Sequence, residues 1–231
     1  MRPRITIICG AYGSGKTEYA ISCAIELAKD RSVKAALIDL DIVNPYFRSR
    51  DIAAELAEQG VTVISTEPGY ENSDLPALSP RIFAAFQDES YQVVIDVGGD
   101  PNGARALGRF REYFLRESYQ FHIVVNPYRP NTRNVKDTLK LINELAVTSR
   151  LQPNGLISNI NLGPETTLEI WQEGLPFIRE LAKQSNLPMI RHVVEEHFWA
   201  KHQDFFANIP VYPITLRMLT PWLKENRGPE K

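Results

Sequence analysis

The sequence predicts an α/β fold of three layers, with a mostly parallel central sheet flanked by helices on both faces. Two observations predict it. Short apolar, β-branched runs alternate along the chain with longer segments whose apolar residues recur at helical spacing, which is the pattern of parallel strands buried on both faces. The stretch Gly10-Ala11-Tyr12-Gly13-Ser14-Gly15-Lys16-Thr17 fits G-x-x-x-x-G-K-[ST] at every fixed position, and it lies between one such run and one such segment.

Composition bounds the rest. The chain has 231 residues, 43% hydrophobic and 23% charged, enough for one α/β domain over residues 1–231 with a full core. A net charge of −2 gives no reason to expect nucleic acid or a membrane surface as a partner. The two cysteines, Cys9 and Cys23, fall on an apolar run and an apolar helix face, and no C-x-x-C occurs. A cysteine-built zinc or iron–sulfur site is therefore not expected, and buried thiols suit a reducing, cytoplasmic setting. The first strand begins almost at the N-terminus and no apolar run reaches about 18 residues, so neither a leader nor a membrane span is expected.

Taken in order, Ile5–Cys9 reads as the first buried strand. The glycines that follow let the backbone turn tightly and approach a phosphate, toward which loop N–H groups and a helix N-terminus would point. Tyr19, Ala20, Cys23, Ala24, Leu27 and Ala28 mark the apolar face of that helix. Gly10, Gly13, Ser14, Gly15, Lys16, Thr17 and Glu18 are thus candidate nucleotide-binding residues. Lys16 would reach the β/γ-phosphates and Thr17 would offer its hydroxyl to Mg²⁺.

Val33–Leu40 is a second strand, ending in Asp39-Leu40-Asp41. Carboxylates at the C-terminal end of a strand sit where open α/β sheets bind ligands. Asp41 then either caps the next helix or belongs to a switch segment that orients water or holds Mg²⁺ through water. Residues 48–59 read as a helix ended by Gly60, and 61–64 as a third strand. The polar, turn-rich stretch 65–80 is either functional or a plain surface excursion. A short helix is expected over 81–87.

Tyr91–Asp96 is an apolar strand ending in an acid, followed by Val97-Gly98-Gly99-Asp100. Asp96 is the expected Mg²⁺-side carboxylate, and Gly99 completes D-x-x-G, where a backbone N–H could meet the γ-phosphate. Residues 104–117 read as one helix carrying Arg105 and Arg109, whose side chains either form a solvated face or approach phosphate or a partner. Residues 121–126 are another strand, with His122 as a core histidine, and a helix follows to about Ser149. Gly155–Asn159 is a strand ending in an amide that could read a base edge. An amphipathic helix over 166–184, strands at 189–194 and 211–214, an aromatic helix around 198–206 and a helix capped near Thr220 complete the chain. His192, His197 and His202 are too irregularly spaced for a metal site.

The order of these motifs resembles the MinD/ParA-type P-loop ATPases of the SIMIBI class, a group that includes the CobQ/CobB-like proteins and the nitrogenase iron protein. The order is P-loop, D-x-D strand, D-x-x-G strand and G-[LIV]-x-x-N, from Ile5 to about Asn161. The resemblance implies a P-loop NTPase fold, ATP and Mg²⁺ as ligands, and a nucleotide-dependent switch or accessory protein. In its terms Lys16 and Asp41 carry the chemistry, with Asp41 orienting water. Thr17, Asp39 and Asp96 serve the metal, and Asn159 recognises adenine. No N-K-x-D guanine motif follows Asn126, which favours ATP over GTP. Dimerising members carry a second lysine early in the loop; here that position is Ala11, so a nucleotide-sandwich homodimer is not favoured. An unidentified protein partner or small-molecule acceptor is expected, and Arg48 is one candidate for the missing cation. The alternatives are a small-molecule kinase or ATP-dependent ligase, and a nucleotide-binding adaptor with little turnover.

Overall fold

A computed structural model describes residues 3–41, 49–65 and 79–218. The expected switch residues 42–48 with Arg48, most of the 65–80 stretch, and the helix near Thr220 lie outside the described residues.

Eight strands form one sheet: β1 (Ile5–Cys9), β2 (Lys34–Leu40), β3 (Val61–Ser65), β4 (Tyr91–Val97), β5 (Tyr119–Val125), β6 (Gly155–Ser158), β7 (Met189–Glu195) and β8 (Val211–Ile214). Their order across the sheet is β3-β2-β4-β1-β5-β6-β7-β8, and every pairing is parallel. The chain builds outward from β1 on one side, inserts β4 beside it, then continues on the other side through β5. The order therefore reverses at β1, and the crevice beyond its C-terminal end is where such sheets bind ligands.

Alternation along the strands divides the core into two layers. Ile8, Leu37, Val94, Val124 and Ile157 pack beneath α1 (Lys16–Ala28) and α2 (Ala53–Glu58). Ile7, Ile38, Ile95, Ile123 and Leu156 face the opposite way. There they meet α3 (Pro80–Gln87), α4 (Pro101–Gly108), α5 (Arg111–Arg116), α6 (Val135–Ser149) and α7 (Leu168–Ser185), with α8 (Glu196–Lys201) and α9 (Gln203–Phe206) beyond. The three layers agree with the expectation, as do all eight strands. His122 is buried on β5.

Three helices differ from the sequence reading; of these, the aromatic helix expected around 198–206 is α8 followed by α9, interrupted at His202. The single helix expected over 104–117 is α4 followed by α5, broken at Arg109-Phe110. Gly108 is a weak helix former, and the turn drives Phe110 into a ring cluster, 5.3 Å from Phe83 and 5.2 Å from Phe86. Phe110 and Phe114 are both fully buried on this side of the sheet. The helix expected over 48–59 begins as a 3₁₀ turn, Ser49–Ile52, before α2. Gly60 ends it as expected, with φ 83°.

Arg4 ties this side together. Its Nε donates to Glu117 at 2.7 Å, and its Nη atoms donate to the carbonyls of Ala85 (3.2 Å), Phe86 (2.8 Å) and Tyr91 (3.2 Å). It thus closes the end of α3, whose last carbonyls have no partner within the helix. Arg4→Ala strands those groups and the Glu117 carboxylate. The expected cost is about 2–4 kcal/mol of unfolding free energy, read by urea titration.

Candidate functional site

The loop between β1 and α1 has the backbone its glycines allow. Gly13 and Gly15 have φ of 73° and 87°, a region that penalises any Cβ. Gly10 and Gly99 are required for a different reason. A Cβ on Gly10 would lie 2.4 Å from Val124 O, and one on Gly99 would lie 2.0 Å from Gly10 O. The D-x-x-G turn after β4 is therefore packed directly against the start of the P-loop. Ser14 is fully buried, and its N–H donates to Ala11 O at 3.0 Å.

Lys16 and Thr17 open α1, and both are buried. Lys16 Nζ lies 2.7 Å from Asp41 Oδ2, each side chain 5% exposed. Burial pulls the Lys16 pKa down, but Asp96 and Asp41 outweigh it and hold the ammonium above its ordinary range. Asp39 is fixed beside this pair. Its Oδ1 accepts the Asp41 N–H at 3.1 Å, and its Oδ2 accepts the Ser49 hydroxyl at 3.2 Å.

Asp39 and Asp96 are register partners on β2 and β4. Asp96 is 1% exposed, and its pKa is pushed up to about 7. Burial is the main cause; Lys16 opposes it, Asp39 adds to it, and a hydrogen bond from Thr17 opposes it. Asp96 Oδ1 has no hydrogen-bond partner. Five predicted residues thus converge at the C-terminal ends of β2 and β4 and the start of α1: Lys16, Thr17, Asp39, Asp41 and Asp96.

Among the described residues, no group of three or more His, Cys, Asp and Glu could by itself hold a metal ion. An unpartnered carboxylate oxygen beside a threonine hydroxyl nevertheless fits the hard-oxygen demand of Mg²⁺, which commonly keeps waters and takes substrate phosphate oxygens.

Beside the P-loop opens a cavity of about 380 Å³. One wall is Tyr12, Gly13, Gly15, Lys16, Thr17 and Glu18. The facing wall includes Asn126, Arg129, Asn159 and Asn161, and Ile214, Leu216 and Met218 supply an apolar side. Asn159 lines the cavity, but its Nδ2 donates to Ser14 O at 2.7 Å. Glu18 also lines it, and its carboxylate accepts the N–H groups of Arg217 (3.0 Å) and Met218 (2.6 Å). Glu18 thereby ties the segment after β8 to α1.

The C-terminal wall and Arg129 were not picked out by the sequence. Arg129 carried one available signal, its place just after the end of β5, on the ligand side of the sheet. His192 and His202 lie in aromatic surroundings, 6.3 Å from the Trp171 ring and 4.6 Å from the Phe198 ring respectively. Among the described residues, no helix is long and apolar enough to cross a membrane.

A scan against protein-family models gives no match, and a search of curated proteins gives none. Solved structures do match. The cell division protein FtsY from Thermotoga maritima superposes with a TM-score of 0.53 at 16% identity, over 83% of this chain and 62% of that one. The signal recognition particle receptor FtsY from Elizabethkingia anophelis, in complex with GDP, gives 0.51 at 15% identity, over 85% and 58%. The chain thus spans about three fifths of the length of these structures. At such identities the likeness concerns the fold alone, and it agrees with the sheet order: an α/β fold with an eight-stranded, all-parallel sheet flanked by helices, like that of these structures.

Proposed function

We propose that the protein binds Mg-ATP and hydrolyses it as a nucleotide-dependent switch, with residues 1–231 forming one P-loop NTPase domain. The observation that carries this reading is the buried Lys16–Asp41 ion pair at 2.7 Å, set among Thr17, Asp39 and Asp96. Lys16 is held against Asp41, with Asp96 close enough to add to its charge stabilisation. A polyphosphate seated on the P-loop N–H groups competes for Lys16 and releases Asp41. The same event therefore binds substrate and frees a carboxylate to orient water, which is the logic of a switch.

The remaining residues take consistent parts. Thr17 and Asp96 would hold Mg²⁺, the threonine directly and the aspartate through water, with Asp39 placed to accept from a metal-bound water. The metal would neutralise charge on the β- and γ-phosphates. Gly99, packed on Gly10, would couple the turn after β4 to the γ-phosphate end of the loop. Asn159, already bonded to Ser14 O, would steady the loop as well as face the adenine end of the cavity. Glu18 would keep Leu216 and Met218 against the base. The missing N-K-x-D after β5 favours adenine. A homodimer closed by a second P-loop lysine is disfavoured, because that position is the buried Ala11; a protein partner or acceptor remains part of the proposal.

Phosphate release from Mg-ATP tests the proposal. Wild type should release phosphate steadily, and Asp41→Ala should retain ATP while turnover falls about 10²–10⁴-fold, the range for loss of a positioned base. Bound ATP without release by wild type would overturn autonomous hydrolysis and favour a kinase awaiting its acceptor or an adaptor.

A further inference from the structure

Arg129 is a cation at the cavity that the mechanism above does not use. It sits in the turn after β5, and that turn is built to hold it. Asn126 is fully buried; its Oδ1 accepts the Tyr128 N–H at 3.0 Å and its Nδ2 donates to Asn161 O at 2.8 Å. The Arg129 N–H donates to Asn126 O at 3.2 Å, and the Tyr128 hydroxyl donates to Ile170 O at 2.7 Å. The backbone under Arg129 is therefore tied to the ends of both β5 and β6 and to α7.

The side chain turns onto the P-loop. Its Nε donates to Gly13 O at 2.9 Å, and the guanidinium lies across the glycine, so that a Cβ there would be 3.2 Å from Nε and 3.6 Å from Cζ. A guanidinium has five N–H donors in one plane, and a single bond to a neutral carbonyl uses one of them. Among the described residues no carboxylate pairs with Arg129. An ordinary surface arginine would extend into water on a mobile stem; this one is anchored to the loop and lines the cavity.

We propose that Arg129 grips the diphosphate of a bound nucleotide in cis, with Nε anchored on Gly13 O and its Nη edge facing the phosphate oxygens. The inference rests on the nucleotide-binding reading of the P-loop. It gives the site a second cation from its own chain although Ala11 is apolar, and it makes ADP and ATP, which share the diphosphate, equally dependent on the residue. Planar, bidentate contact with phosphate is the use to which arginine is best suited.

The test is calorimetric titration of ADP and ATP, each with Mg²⁺, into the full chain as wild type, Arg129→Ala and Arg129→Lys, at low and at moderate salt. Arg129→Ala should weaken both nucleotides about tenfold, with a shallower salt dependence than wild type, while the melting temperature of the unliganded protein stays put. Arg129→Lys should recover part of the loss, because it restores the charge without the fork. ADP affinity in Arg129→Ala within about twofold of wild type would overturn the proposal. So would an Arg129→Lys protein as weak as Arg129→Ala with wild-type salt dependence, since the residue would then only brace Gly13. If wild type itself bound neither nucleotide, the P-loop reading would fail first and would be recognised as the failure.

Discussion

Lys16→Ala is expected to do two separable things: abolish Mg-ATP binding and destabilise the unliganded protein. The second effect is the unusual one. P-loop lysines are ordinarily considered through the phosphate they meet, but here the ammonium also neutralises a buried carboxylate at 2.7 Å. Removing one partner of a buried pair leaves the other charge uncompensated, at a cost of about 3–5 kcal/mol. Urea unfolding should show that loss in Lys16→Ala. The double variant Lys16→Ala, Asp41→Asn should recover most of it, because the stranded charge is gone. ATP binding should fall below calorimetric detection in both, since neither offers the Lys16 ammonium to the β/γ-phosphates and Arg129 reaches only the diphosphate from the other side of the loop. A single variant as stable as wild type would mean that the ion pair does not hold the unliganded site together. An ATP affinity near wild type in either variant would remove Lys16 from the phosphate site.

Asp96→Asn should stabilise the unliganded protein and disable it. The native carboxyl is held up to about 7, chiefly by burial, against an ordinary value near 3.8. At pH 3 both native and unfolded chains carry the proton. As pH rises through roughly 4 to 7 the unfolded chain loses it while the native site keeps it, so the unfolded state binds fewer protons and stability falls. The penalty levels off above the native pKa at roughly 4 kcal/mol, since each tenfold difference in proton affinity between the two states is worth about 1.4 kcal/mol. Asp96→Asn removes this slope, so its melting temperature at pH 8 should exceed that of wild type by several degrees, while the two proteins converge near pH 4. His192, held below its ordinary pKa by burial and by Arg179, contributes in the opposite direction. Stability from it is lost as pH falls below 6.5, equally in both proteins, so the difference between them isolates Asp96. The functional cost should appear as loss of the Mg²⁺-dependent part of ATP affinity. An Asp96→Asn protein no more stable than wild type at pH 8 would contradict a carboxylate whose ionised form is penalised by burial.

These two effects concern residues legible in the sequence, and the reason is geometric. A P-loop needs glycine at Gly13 and Gly15 for positive φ and at Gly10 for close approach, so its pattern is written at fixed spacing. Asp39, Asp41 and Asp96 stand out because they close apolar runs, and parallel strands buried on both faces have to be apolar runs. Parallel pairing then brings Asp39 and Asp96 into register. Other features depend on contacts far apart in the chain. The break between α4 and α5 has Gly108 as its one local signal, while the rings that Phe110 meets, Phe83 and Phe86, lie more than twenty residues earlier. Glu18 reads as a nucleotide-binding residue at the start of α1, yet its carboxylate accepts N–H groups about 200 positions later, at Arg217 and Met218. Asn159 was legible as an amide at a strand end, but its bond to Ser14 O depends on β6 lying two strands from β1. Arg129 stands between Pro127 and Pro130, and nothing local in that stretch announces that its side chain reaches Gly13.

Binding of Mg-ATP by the cavity and P-loop through Lys16 and Asp96 is the proposal on which the other roles depend. Calorimetric titration of ATP and GTP into the wild-type chain, with and without Mg²⁺, tests it most directly. One ATP site per chain is expected, tightened by Mg²⁺ and preferred over GTP, with the Mg²⁺ gain absent in Asp96→Asn. No saturable binding of either nucleotide by folded protein would contradict it.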